Sequence, residues 1–293
     1  MCLNNMRYFS CLVIAAMIFG ASLTSCGKQD PQYWLPKSII VSQHNASTDN
    51  IHQIMYEFEY DGRNRLTTGR AQNHYSFVYN DDGDIVEYAS CYIPSRCYRT
   101  TFSLNGNKIS FITNYHPSVT LSGTVTGELE LDAHGLPVKL IYEDVSEYLS
   151  TGSNYWTNTT VTLTWQNGNI VKAEREGYWK SEIVRLNWET QEIDRVEREE
   201  GSRAGTVTYT YDNMKTPFHF CNTPKWFLWW VSYYRYLGIY GHNRNNIITE
   251  TTEDGSTTTY NHTYKQSGFP VTRRWGTAEI WTNGSTTEMY TYN

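Results

Sequence analysis

The sequence predicts an all-β fold, an up-and-down antiparallel meander that is strongly curved to barrel-like, with one short helical insertion near residues 224–237. Three observations support this prediction. Apolar and polar residues alternate with period two along most of the chain, Asx-Gly dipeptides interrupt the alternation, and one aromatic run in the C-terminal third departs from it. Such alternation indicates strands with one buried face, and an Asx-Gly pair between alternating segments is a strong signal for a tight hairpin.

The alternating segments recur from residue 38 onward. They are rich in Thr, Tyr, Val and Trp, which suit a pleated, half-buried surface. Buried faces are predicted for Ile54, Tyr56, Phe58 and Tyr60; for Val125, Leu129 and Leu131; for Val161, Leu163 and Trp165; and for Val207, Tyr209 and Tyr211. The opposite faces carry mostly Thr and Glu, which is typical of antiparallel sheets with one side in water.

Six Asx-Gly dipeptides mark connections between these segments. They are Asp61-Gly62, Asp82-Gly83, Asn105-Gly106, Asn167-Gly168, Asp254-Gly255 and Asn283-Gly284. Asn, Asp and Gly tolerate the positive φ that tight hairpins require. Turns and alternation together predict roughly 15–19 strands, and short connections between sequential strands predict a meander.

Residues 1–25 have the composition of a bacterial export signal. Arg7 supplies a positive start, and the apolar run from Cys11 to Leu23 has 13 residues, fewer than the roughly 20 of a transmembrane helix. The run leads into Leu23-Thr24-Ser25-Cys26, which resembles the lipobox of bacterial lipoproteins. The resemblance implies cleavage before Cys26 and a lipid on its thiol, which leaves 268 of the 293 residues in the mature chain. An ordinary secretory signal with an incidental cysteine is the alternative.

The predicted mature chain has two parts. Residues 26–37 contain Gly, Gln, Asp and two Pro residues and are predicted to be a tether. Residues 38–293 show no further break in composition and are predicted to form a single β-meander domain. Lys28 and Asp30 resemble the charged export tag of surface-exposed lipoproteins from Bacteroidetes-type bacteria, so the expected location is the outer membrane, on its cell-surface or periplasmic face.

Two cysteines of the predicted domain are close in sequence. Cys91 and Cys97 flank Pro94-Ser95, and export to an oxidising compartment permits a disulfide between them. A bridged pair and two free thiols both remain open at this stage.

The segment from Pro224 to Leu237 departs from the alternation. Thr223 is a candidate N-cap, and Pro224 suits the start of a helix. The helix is apolar nearly all round, so we expect it to be buried as a plug that fills or caps the curled sheet. A ligand-binding surface is the alternative, and its candidate residues are Trp226, Trp229, Trp230, Tyr233 and Tyr234; a pair of strands is a further one.

A loose internal repeat runs through the chain, with an aromatic or apolar residue, a polar turn and then Ile or Leu. It occurs at 58–66, 79–85, 131–136 and 165–170. These segments resemble the tyrosine–aspartate repeats of RHS-type proteins. The order of Tyr211-Asp212, Pro217-Phe218, an insertion and then Asn245-Asn246-Ile247 more closely resembles a family of Bacteroidetes lipoprotein domains of unknown function. That resemblance implies a porin-like β fold and an envelope location, and it assigns no activity.

The sequence contains few candidates for chemistry. A net charge of −6 gives no general attraction for nucleic acid, and the motifs of phosphate loops, serine hydrolases and zinc proteases do not occur. Asp81, Asp82 and Asp84 are explained by turn formation, with a calcium site as the alternative. Glu128 and Glu130 are expected on a solvated strand face, and His242 and His262 in strands. We therefore expect no enzyme and no cofactor.

Three function classes fit these features. The first is a lipid-anchored, non-catalytic binding module of the cell envelope whose expected ligand is a glycan, because Trp and Tyr faces stack on sugar rings. The second is a structural or protein-interaction component of an outer-membrane assembly. The third is an integral outer-membrane barrel, since such barrels also alternate; the Thr-rich strands argue against a lipid-facing band. We expect the first.

Overall fold

The computed structural model describes residues 34–45, 50–93, 96–115, 122–148, 152–186, 189–190, 192–235, 241–277 and 284–293. The predicted signal sequence 1–25, Cys26 and residues 27–33 of the predicted tether lie outside these ranges. The strands are β1 Pro36–Asn45, β2 Asn50–Tyr60, β3 Leu66–Arg70, β4 His74–Tyr79, β5 Ile85–Ile93, β6 Arg96–Asn105, β7 Lys108–Tyr115, β8 Ser122–Leu131, β9 Pro137–Tyr148, β10 Ser153–Gln166, β11 Asn169–Leu186, β12 Ile193–Lys215, β13 Asn245–Thr252, β14 Thr257–Thr259, β15 Asn261–Tyr264, β16 Pro270–Thr277 and β17 Gly284–Tyr292. The helix is α1 Lys225–Arg235.

The described strands form one 17-stranded antiparallel sheet in which neighbours in sequence are neighbours in space. β1 pairs with both β2 and β17, so the first and last strands close the meander into a barrel-like sheet. β14 pairs with β13 and β15 with β16, on either side of Tyr260. The predicted all-β meander with one helical insertion is therefore confirmed. The predicted start of the domain, residue 38, lies inside β1, which begins at Pro36. Leu35, just before this strand, is buried.

The two faces of the barrel wall differ in chemistry. On β7, Ile109, Phe111 and Thr113 point inward and are buried, whereas Lys108 points outward and pairs with Glu128 of β8 at 2.6 Å. The inward faces together supply most of the core. The outer face thus carries ion pairs of this kind beside exposed apolar side chains such as Ile112.

The barrel has two ends that we name by their connections. Most tight turns lie at one end, the turn end, together with Pro36, Tyr292, residues 216–224 before α1 and residues 241–244 before β13. At the opposite end, the loop end, β1, β5, β7, β9 and β11 end and β2, β6, β8, β10 and β12 begin.

One five-residue turn is repeated along the chain. In each copy the first N–H donates to the fifth carbonyl, the fourth N–H donates to the first carbonyl, and the fourth residue has a positive φ. This is the three-residue hairpin with a terminal bulge, which needs Gly or Asn at that fourth position. The copies are 61–65, 80–84, 132–136, 252–256 and 265–269. Three of the four repeats seen in the sequence contain this turn, which explains their spacing.

A second repeated device ties strand ends together at the turn end. An aromatic side chain near the end of one strand donates a hydrogen bond to a carbonyl at the start of the strand before it. The pairs are Tyr60 to Pro36 (2.9 Å), Tyr79 to Leu66 (2.9 Å), Trp165 to Pro137 (2.6 Å), Tyr211 to Ile170 (2.5 Å) and Tyr292 to Pro270 (2.8 Å). Burial raises the pKa of the three phenols of Tyr60, Tyr79 and Tyr292, so they stay protonated as donors at neutral pH.

A disulfide lies toward the loop end. Cys91 of β5 and Cys97 of β6 are cross-strand partners, and the bond joins Cα atoms that are 4.0 Å apart. It therefore links the two strands directly beside the connection through residues 94–95.

Helix α1 lies inside the barrel, and its predicted burial is confirmed. The ring centre of Trp226 lies 5.4 Å from that of Phe102. The ring centre of Trp230 lies 5.1 Å from that of Phe102 and 5.5 Å from that of Phe111. Phe227 adds an edge-to-face contact with Phe77 at 5.7 Å, a geometry that aromatic pairs prefer. One face of the helix thus fills the space beside β4, β6 and β7. Within the described residues no helix is long and apolar enough to cross a membrane.

The start of α1 is held by the wall. The hydroxyl oxygen of Thr223, predicted to cap the helix, instead accepts a hydrogen bond from the Leu66 N–H at 2.9 Å and lies 3.0 Å from the Tyr79 hydroxyl. Asn222 donates its backbone N–H to the Asn64 carbonyl at 2.9 Å. The first intrahelical acceptor is the Pro224 carbonyl, so the cap prediction for Thr223 is wrong, and its hydroxyl docks the insertion onto β3.

A glycine pair tests the packing of the wall. A Cβ on Gly127 would enter the Phe111 ring and lie 2.7 Å from the Ile141 carbonyl oxygen, whereas a Cβ on Gly205 would have no atom within 4 Å. We expect Gly127→Ala to lower the free energy of unfolding by about 1–3 kcal/mol, the usual cost of overpacking. Gly205→Ala should leave it unchanged or slightly raised, since Ala suits a strand better than Gly. Urea denaturation measures both, and equal effects would contradict this packing.

Candidate functional site

A cavity of about 150 Å³ lies inside the barrel beside α1, on the side away from β4 to β7. Helix, strands and the segment before β13 all contribute to its walls. The lining residues are Leu163, Ile170, Ala173, Tyr209, Tyr211, Trp229, Ser232, Tyr233, His242, Asn243, Ile247, Glu250, Tyr260 and Arg273. Ligand sites are typically concave and rich in aromatic side chains with a few polar groups, and this cavity has that composition.

The helix brings two aromatic rings to the cavity. Trp229 and Tyr233 are four residues apart, which places them on one helical face, and their rings stack at a centroid distance of 5.2 Å. Ser232, on the same side, donates its hydroxyl hydrogen to the Leu228 carbonyl at 2.7 Å. The aromatic residues of α1 therefore lie on two faces of the helix. Trp226 and Trp230 pack against the barrel wall, and Trp229 faces the cavity.

Two charged groups line the cavity on either side of one tyrosine. The Tyr260 hydroxyl donates to the Glu250 carboxylate at 3.0 Å. The Arg273 guanidinium carbon lies 4.1 Å from the centre of the Tyr260 ring and 4.8 Å from that of Trp275. A hydrogen-bond acceptor, Glu250, and a cation, Arg273, therefore both contact the side chain of Tyr260.

Arg273 forms a buried ion pair with Glu288, its cross-strand partner on β17, with an N–O distance of 3.7 Å. Both side chains are almost fully buried. The Tyr290 hydroxyl donates to the same carboxylate, and burial raises the pKa of that phenol well above its usual value. The guanidinium charge is therefore largely matched within the wall.

His242 forms part of the buried floor of the cavity. It was predicted to lie in a strand, and that prediction is wrong: it precedes β13, in the segment 241–244. Burial, reinforced by the nearby charge of Lys225, lowers the pKa of the imidazole to about 3. His242 is therefore neutral at neutral pH, and its Nδ1 has no hydrogen-bond partner in the part of the chain that the structure describes.

Lys225, at the start of α1, lies near His242. Its ammonium group donates to the Gly241 carbonyl. Burial lowers the pKa of Lys225. The hydrogen bond given for this amine goes to a backbone oxygen and not to a carboxylate. The contact fixes the segment before β13 against the helix.

The cavity is closed toward the turn end and more open toward the loop end. Ile170, His242 and Asn243 are buried and lie at or next to the turn end of their strands. Tyr233 and Glu250, which are partly exposed, lie further toward the loop end. A ligand would therefore enter from the loop end.

The structure separates the other residues singled out in the sequence. Trp226 and Trp230 pack in the aromatic core described above, and the Tyr234 side chain lies outside the described residues. Glu128 and Glu130 are on the outer face of β8. Asp81, Asp82 and Asp84 lie in the turn between β4 and β5. No group of three or more His, Cys, Asp or Glu side chains in the described ranges is placed to hold a metal. His262 lies in β15 as predicted, and its Nε2 is 2.9 Å from the Ile247 carbonyl oxygen.

Sequence reasoning missed Glu250 and Arg273. Alternation counted from Ile247 places Glu250 on the outer face. A bulge at Ile248 adds one residue to β13, because Tyr211 pairs with Ile247 while Tyr209 pairs with Glu250. Both Ile247 and Glu250 therefore face the cavity. The adjacent Arg273 and Arg274 were a usable signal, since one of two consecutive strand residues must point inward.

No protein-family model matches this chain, and no curated protein matches it. Two of the solved structures that it is similar to are described as porin-like proteins from Bacteroides. The one from Bacteroides uniformis shares 12% sequence identity over 88% of this chain and 98% of its own, with a TM-score of 0.40. The one from Bacteroides vulgatus shares 11% identity over 87% of this chain and 97% of its own, with a TM-score of 0.44.

Proposed function

We propose that this protein is an exported, lipid-anchored, non-catalytic binding protein of the outer membrane, and that its ligand is a single sugar unit held in the cavity beside α1. The observation that carries the proposal is the aromatic cavity with polar groups at its floor and rim. The charged outer face supports a barrel in water, held at the membrane by its N-terminus and not by its wall.

The size of the cavity selects the ligand. The cavity measures about 150 Å³, and a protein cavity of about that volume holds one small ring such as benzene. A polysaccharide chain could present only one terminal unit there. The stacked rings of Trp229 and Tyr233 supply apolar surface, and Glu250, Tyr260 and His242 supply the polar groups that orient hydroxyls.

The proposed anchor also fixes an orientation. Cys26 precedes Trp34 by eight residues, which reach at most about 28 Å when extended. Trp34 stacks on Phe269 at 5.0 Å, at the turn end. A lipid on Cys26 therefore holds the turn end toward the membrane, and the more open side of the cavity faces away from it.

A protein-interaction component is the second candidate, and one observation favours it. Residues 193–206 of β12 pair with β11 but have no second neighbour among the described strands, so they form a sheet edge that another strand could join. Ile193 is 66% exposed there. The edge also carries Arg195, Glu197 and Arg198, and charges of this kind protect edges from pairing. The cavity is therefore the better supported site.

The anchor is tested by metabolic labelling. A cell that processes bacterial lipoproteins is fed an alkyne-bearing palmitate, and the labelled protein is detected after the alkyne is coupled to a dye. We expect label on the wild-type chain in the membrane fraction, and none on Cys26→Ala. Cys221→Ala is the matched control, because that thiol is buried and should not affect labelling. Equal label on Cys26→Ala would overturn the anchor.

Ligand binding is tested by tryptophan fluorescence and calorimetry on the mature protein with a panel of monosaccharides. We expect at least one sugar to bind with a Kd of about 1 mM or tighter and to quench emission. Trp229→Phe should remove most of that quench because the indole borders the cavity. Trp156→Phe, on the outer face of β10, should retain it. Absence of saturable binding by every sugar would contradict the proposal, as would loss of the quench in Trp156→Phe alone.

A further inference from the structure

The carboxylate of Glu250 faces the cavity, and none of the cationic side chains that the structure describes pairs with it. Its hydrogen bond comes from the neutral Tyr260 hydroxyl, and no Lys, Arg or His of the described residues lies within ion-pair distance of it. Several acidic side chains on the outer face are ion-paired, such as Glu87 with Arg99 at 2.8 Å and Glu174 with Lys172 at 2.6 Å. Glu250 differs from these because it points into an enclosed space.

The other described charges near the cavity do not pair with Glu250. Arg273 is matched by Glu288 and is also held against the aromatic rings of Tyr260 and Trp275. His242 is neutral, for the reason given above. Among the described side chains, the two cavity-lining charges Glu250 and Arg273 and the Arg273 partner Glu288 sum to one net negative charge.

The walls reinforce this negative charge. Five aromatic rings border about 150 Å³, and they are Tyr209, Tyr211, Trp229, Tyr233 and Tyr260. The face of an aromatic ring is the negative part of its quadrupole, and it attracts ammonium groups by about 0.5–2 kcal/mol, more when water is excluded. The Tyr260 ring already carries one cation, Arg273, at 4.1 Å. A small cage of aromatic rings with one unmatched carboxylate suits a cation that also has apolar surface.

We infer that the cavity takes a ligand with a protonated or quaternary amine, whose ammonium group lies between the Glu250 carboxylate and the aromatic rings. This inference rests on the proposed function and narrows it, because it selects amino compounds over neutral sugars. Two sources share the chemistry: an amino sugar such as glucosamine, and a free alkylammonium such as tetramethylammonium. Both are of the scale of the cavity.

Calorimetry on the mature protein at constant ionic strength tests the inference with four probes. They are glucosamine, tetramethylammonium, glucose and N-acetylglucosamine, the last two being neutral. We expect glucosamine to bind at least tenfold more tightly than glucose and N-acetylglucosamine. Binding of tetramethylammonium as well would identify the ammonium group alone as the recognised feature, whereas binding of glucosamine without it would identify an amino sugar.

A pair of glutamate variants locates the effect. Glu250→Gln keeps the side-chain shape and a hydrogen-bonding amide but removes the charge, so it should weaken amine binding at least tenfold and weaken neutral-sugar binding by a smaller factor. Glu176→Gln is the matched control, since Glu176 is exposed on the outer face of β11, and it should bind as the wild type does. A thermal melt of each variant confirms that it is folded, and the four-probe series on the wild type does not depend on either.

The contrary outcomes are distinct. If glucose or N-acetylglucosamine binds as tightly as glucosamine and tetramethylammonium does not bind, the amine inference is wrong and the sugar proposal stands. If none of the four probes binds, the amine inference is wrong, and the monosaccharide panel described above decides separately whether the proposed function stands.

Discussion

The width of the sheet is the constraint on which the rest of the structure depends. Eight strands close a barrel that its own side chains can fill, whereas 16 or more enclose a lumen that they cannot. Here 17 strands carry an apolar inner face that must be kept from water. α1 meets part of this need by lying in the lumen. Each buried aromatic ring removes about 150–250 Å² from water, roughly 4–6 kcal/mol before the entropy of ordering is counted.

One helix of 11 residues cannot touch every part of so wide a wall. α1 packs Trp226, Phe227 and Trp230 against β4, β6 and β7, and the space that remains lies toward β10 to β13 and β16. The inner wall becomes polar on that side, with Glu250 and the Arg273–Glu288 pair. A buried ion pair contributes little net stability because desolvation offsets its attraction. Departures from an apolar core are expected at functional sites, and here they coincide with the cavity.

Much of this architecture could be predicted from sequence, because it follows from local rules. Period-two alternation, Asx and Gly in turns, and an aromatic run after Pro224 determine the strands, the hairpins and the helix. The chemistry of the cavity could not be predicted in this way. Glu250 faces inward because of a bulge at Ile248, and a single inserted residue leaves no pattern in composition. Nor does the sequence show which of Trp229 and Trp230 packs on the wall, since that depends on how far the helix is rotated within the lumen.

The central claim is that the space beside α1 is a ligand cavity and not part of a fully packed core. Ala173→Leu tests it most directly, since Ala173 lines the cavity and the larger side chain would occupy it. The account predicts that this variant unfolds at the same urea concentration as the wild type or a higher one, and no longer binds glucosamine. Ala204→Leu, at an exposed site on β12, should retain binding. A loss of about 1–3 kcal/mol in Ala173→Leu, as overpacking of a filled core produces, or unchanged glucosamine binding, would contradict the account.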